Sequence, residues 1–141
     1  MRAVLVFFLL AQVAGCGTVY VNKEDRKPRY LKETEFVSGR NVEMTYRRLY
    51  KMLYRCTSGY YRIQGDYDLG KSHAEISVDT GVGFQNDAFL ADSHVMRVDI
   101  DAQGLDKSRV RIRQTSRQGA PYAGAMASWV NEGSDDCAAG S

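Results

Sequence analysis

The stretch His94–Gln114, HVMRVDIDAQGLDKSRVRIRQ, decides the fold. His94, Met96, Val98 and Ile100 fall on one side of an alternating pattern, and Val95, Arg97, Asp99 and Asp101 on the other. Ala102-Gln103-Gly104-Leu105-Asp106 has turn composition, and beyond it Val110, Ile112 and Gln114 alternate with Arg109, Arg111 and Arg113. A period of two with one apolar side marks strands of a sheet that is solvated on one face only. The stretch reads as a β-hairpin of an antiparallel sheet, and its apolar face needs a cover.

Upstream lies a second hairpin. Tyr61, Ile63 and Tyr67 share one side of 61–67, Asp68-Leu69-Gly70 turns the chain, and Ala74, Ile76 and Val78 repeat the period of two. A loop containing Gly81, Gly83, Asn86 and Asp87 joins the hairpins. The cover comes from two helices. Asn41 is a fitting N-cap for a helix over Val42–Thr57, where Val42, Tyr46, Leu49, Leu53 and Cys56 recur at steps of three and four, with Arg47, Arg48, Lys51 and Arg55 largely opposite. Gly59 suits the left-handed stop. The second helix begins near Pro121 and runs to Asn131, with Tyr122, Met126, Trp129 and Val130 on one side and Gly133 beyond its end. The expected fold class is α+β, with an antiparallel sheet of about four strands in two hairpins against two helices, ordered α-β-β-β-β-α.

The amino terminus has another logic. MRAVLVFFLLAQVAGCG carries Arg2, an apolar run of about a dozen residues, then Ala14, Gly15 and Cys16. The run is shorter than the roughly 20 residues that span a bilayer, and it matches the apolar region of a signal peptide. Val13-Ala14-Gly15-Cys16 resembles the lipobox of bacterial lipoproteins. The resemblance covers the first 17 residues and implies cleavage before Cys16 and acylation of that residue. Several acyl chains hold stably where one does not. Asp after the cysteine favours the inner membrane in such lipoproteins. Gly17 stands there in this chain, so the implied location is the outer membrane, facing the periplasm. The expected organisation is a signal peptide over 1–15, a lipid anchor and charged tether over 16–40 with a short edge strand at 18–21, and one domain over 41–141.

Cys56 and Cys137 are the two cysteines other than Cys16. In an oxidising compartment an even remainder suggests one disulfide, tying the end of the first helix to the tail. The alternative is two free thiols. The 141 residues carry 19 basic and 17 acidic side chains, a net charge of +2 that gives no drive onto nucleic acid. The basic residues concentrate over 23–62, a region that either is solvated or rests on anionic headgroups. Nine tyrosines outnumber five phenylalanines, a balance that suits half-exposed contact surfaces.

Chemistry is sparse. Asp79-Thr80-Gly81 is similar to the catalytic triplet of aspartic proteases, but their mechanism needs two such carboxylates and the chain has one copy. His73 and His94 lie on separate strands, short of the three or four ligands of a zinc site, and no metal or other cofactor is expected. Ser72 and Ser93 adjoin those histidines, but neighbours on a strand point to opposite faces. The ladder Arg109, Arg111, Arg113 either pairs with Asp99 and Asp101 on the next strand or binds phosphate. The expectation is a membrane-anchored, non-enzymatic envelope module with a protein partner. The alternative is a binder of an anionic envelope ligand, lipopolysaccharide or a peptidoglycan fragment, through those arginines.

Overall fold

A computed structural model describes residues 30–57, 59–68, 70, 72–80 and 94–137. Five strands and two helices follow in the order β1 (Lys32–Ser38), α1 (Val42–Thr57), β2 (Tyr61–Tyr67), β3 (His73–Thr80), β4 (His94–Ala102), β5 (Ser108–Gln114) and α2 (Ala120–Asn131). The α+β class holds. The count and order differ from expectation by one element, β1, which precedes α1 and lies inside the stretch read as tether.

The physical reason lies in what β1 faces. Its sequence, KETEFVS, looks like solvated linker because Glu33 and Glu35 alternate outward. Opposite them stand Arg113 and Arg111 of β5, and Thr34, Phe36 and Ser38 turn toward the helices beside Ile112, Val110 and Ser108. Charges that read as a tether are one half of a cross-strand charge pattern. The edge strand expected at 18–21 and the loop with Gly81, Gly83, Asn86 and Asp87 lie outside the described residues.

All pairings are antiparallel, and the sheet order is β1-β5-β4-β3-β2. Strands β2 to β5 form a meander, and α1 carries the chain from one edge of the sheet to the other. Both helices lie on one face. Leu49, Met52 and Leu53 of α1 and Met126, Trp129 and Val130 of α2 are buried with Ile76, Val78, Met96, Val98, Ile100, Val110 and Ile112. At about 25 cal/mol per Å² of apolar surface removed from water, this layer is the main driving force for folding.

Local signals place the ends. Asn41 accepts from the Met44 amide at 2.9 Å, capping α1, and Gly59 and Gly133 adopt φ of 81° and 70° just past the two helices. Helix α2 crosses from the start of β2, where Tyr122 meets Tyr61 edge-on, to β1, where the Asn131 amide donates to the Val37 carbonyl. Where β1, α1 and β5 meet, the buried hydroxyls of Ser38, Thr45 and Ser108 hydrogen-bond in a chain at 2.8 and 2.9 Å, and Ser108 donates to the Arg40 carbonyl. Buried polar groups satisfied in this way avoid the desolvation penalty and fix how the three elements meet.

The tail is held twice. Cys56 and Cys137 form a disulfide, Cα to Cα 5.2 Å, across 81 residues. Arg48, expected on the solvated side of α1, instead donates to the carbonyls of Trp129, Gly133 and Ser134 and to Asp135. It satisfies acceptors left over at the carboxyl end of α2. The Trp129 indole donates to the Asp136 carbonyl at 2.6 Å.

Candidate functional site

Two surfaces remain: the sheet face away from the helices, and the outer edge of β2. The sheet face is a charge grid. Register sets Arg109, Arg111 and Arg113 of β5 between Val37, Glu35 and Glu33 of β1 and Asp101, Asp99 and Arg97 of β4. Arg109 lies 3.3 Å from Glu35, and Arg111 lies 3.6 Å from Glu33 and 3.5 Å from Glu35. Arg113 meets Asp99, donates to the Tyr30 hydroxyl at 3.3 Å and stacks over that ring. Burial works against its charge, but the Tyr30 hydrogen bond and Asp99 outweigh burial, so the guanidinium holds its proton more firmly than usual. All three arginines of the ladder thus stand against carboxylates.

Next to them, Arg97 pairs with Glu75 and approaches Asp99 at 3.6 Å, and His73 Nδ1 lies 2.7 Å from Asp101. His73, Glu75 and Asp99 offer three ligand atoms within 4.8 Å of one another. Two of the three already meet guanidinium groups, Glu75 that of Arg97 and Asp99 that of Arg113. A divalent ion there would face both positive charges, so the arrangement is an ion-pair network rather than a ligand cage.

His94 corrects the sequence reading. It is not on the core face: its ring is half exposed and pairs with Asp79 of β3. The cause is a β-bulge. The pairing slips between Val78 and Asp79, so that Met96 faces Val78 while His94 faces Asp79 and Val95 is left over. One extra residue turns His94 to the polar face and buries Val95 instead. Asp79, the acid of the protease-like triplet, is committed to that cross-strand pair. Gly81, Ser93 and Cys16 lie outside the described residues.

The edge of β2 is different in kind. Among the described residues β2 pairs with β3 alone. On its helix side Tyr61, Ile63 and Tyr67 are half-buried, and α1 adds Tyr46 and Tyr50. Tyr46 stacks on Tyr67 at 5.4 Å and meets Tyr50 at 5.8 Å. Gly65 makes room for this: a Cβ there would overlap the Tyr46 hydroxyl. Burial, then Tyr50 and Asp66, raise the Tyr46 hydroxyl above its ordinary pKa, and burial with Tyr61 does the same for Tyr122. Tyr54 and Tyr60, at 70% and 82% exposure, extend the aromatic surface outward. On the polar side an open depression of about 480 Å³ is lined by Gln64, Gly65, Asp66, Glu75 and Ser77. The sequence held a signal for this band, the spacing Tyr46, Tyr50, Tyr54 along one helix, but only the fold sets it beside Tyr61 and Tyr67.

Fold and site together define a two-layer α+β domain with an internally paired sheet face and a tyrosine-rimmed edge at β2 that no other described strand covers. No family model and no curated protein matches the chain significantly. Among the described residues no helix is long and apolar enough to cross a membrane.

Proposed function

We propose that the chain is an envelope lipoprotein of the outer membrane, fastened through Cys16 and facing the periplasm, whose domain binds a protein partner and does no chemistry. One observation carries the binding role: among the described residues β2 has a strand on one side only, and its other edge of backbone donors and acceptors lies beside a band of half-buried tyrosines. Tyrosine supplies large, rigid contact area with a polar tip, which suits a surface that is wet when free and covered when bound. The anionic-ligand reading through Arg109, Arg111 and Arg113 is less favoured, because each guanidinium already has a carboxylate neighbour.

The anchor rests on the lipobox-like Val13-Ala14-Gly15-Cys16. Its test is metabolic labelling with palmitate followed by envelope fractionation. Label should enter the wild-type chain and the chain should sediment with outer membranes; Cys16→Ala should lose both. Unchanged fractionation of the variant would remove the anchor and the location together.

A further inference from the structure

The two edges of the sheet are built differently. Edge β1 carries Lys32, Glu33 and Glu35 within seven residues, the kind of charge that discourages edge-to-edge pairing. Edge β2, Tyr61-Arg62-Ile63-Gln64-Gly65-Asp66-Tyr67, has no proline and no lysine. Its two charges are opposite in sign and lie symmetrically about Gln64. We infer that β2 pairs antiparallel with β2 of a second copy of this chain, about a two-fold axis through Gln64, joining two five-stranded sheets into one.

Register makes the surface self-complementary. With Gln64 opposite its own copy, residues 62 and 66 face each other, as do 61 and 67, and 63 and 65. Arg62 then meets Asp66 twice on the polar face. Tyr61 meets Tyr67 twice on the helix face, and Ile63 lies opposite Gly65, beside the Tyr46 ring that covers that glycine. Opposite charges and aromatic pairs directly across strands are stabilising, and like charges there are not. A shift by one residue along the strand would set tyrosines against polar partners and lose both sets of contacts. Within one chain the Gln64 carboxamide lies 2.8 Å from the Arg62 guanidinium, so the groups at the axis are already grouped on one face. An isologous contact of this kind closes on itself and leaves the charged β1 edges at the outside. The inference deepens the binding role proposed above and rests on it, naming the partner as a second copy.

The test uses the full chain solubilised in detergent. Gln64→Cys places two thiols at the axis and should give an oxidised dimer on non-reducing gels, while Val37→Cys on the β1 edge should not. Arg62→Asp leaves acid at both positions 62 and 66, and Asp66→Arg leaves base at both. Each, added to the Gln64→Cys background, should weaken dimerisation roughly tenfold by setting like charges across two contacts. Mixing the two variants should restore a mixed dimer, told apart by tags of different size, and that rescue also shows both chains to be folded. Sedimentation of the wild-type chain as a monomer at high micromolar concentration, or no rescue on mixing, would overturn the dimer. Cross-linking from position 64 to a different protein would overturn the dimer but leave the edge as a binding surface.

Discussion

Asp99 is the most deeply placed acid of the sheet face, with a side chain 7% exposed, and its charge is met by Arg113 and Arg97. Removing it leaves a guanidinium in partly desolvated surroundings without its counter-charge. Asp99→Ala should therefore cost about 3 kcal/mol, read as a lower urea midpoint at constant slope. Adding Arg113→Met should recover much of the loss, because the unmatched charge leaves too. Tyr46 gives a pH prediction. Burial raises its folded pKa above the ordinary value of 10.0, so the neutral phenol stabilises the fold fully below that pH. As pH climbs past 10 the unfolded chain ionises first, and the contribution fades until the folded phenol ionises as well. Stability should fall above pH 10, and Tyr46→Phe should flatten that fall in thermal melts run across the range.

Elements with one strong local signal could be read from sequence. Helix α1 has Asn41, a clean three-and-four spacing and Gly59; α2 has Pro121 and Gly133; β2 to β5 alternate over most of their length. What could not be read depends on a partner elsewhere in the chain. The inward side of β1 shows only Thr34, Phe36 and Ser38, and its outward glutamates make sense only beside Arg111 and Arg113. The bulge at Val95 is invisible in a sequence that alternates without a break, since the slip is a property of two strands together. Arg48 looks solvated on a helical wheel and is drawn inward by carbonyls at the end of α2. The candidate site divides the same way. The arginine ladder was legible, but of the pairing expected with β4 only Arg113 to Asp99 is made; Arg109 and Arg111 meet Glu33 and Glu35 of β1 instead. The tyrosine rim needed α1 and β2 to be laid side by side.

At the scale of the molecule the Cys56–Cys137 bond closes a loop of 81 residues that takes in most of the sheet. Constraining so long a loop in the unfolded chain is worth roughly 4 kcal/mol on the entropy model. Reduction, or Cys56→Ser with Cys137→Ser, should lower stability by about that much in chemical denaturation, while the far-ultraviolet spectrum stays native because the buried layer is untouched. The order of strands carries one last consequence. Among the described residues the sheet runs from β1 at one edge to β2 at the other, four strand spacings or about 19 Å away. Under the anchoring proposed at Cys16, lipid would hold the domain through its charged flank, and a neighbour could reach the tyrosine flank without the bilayer in its path.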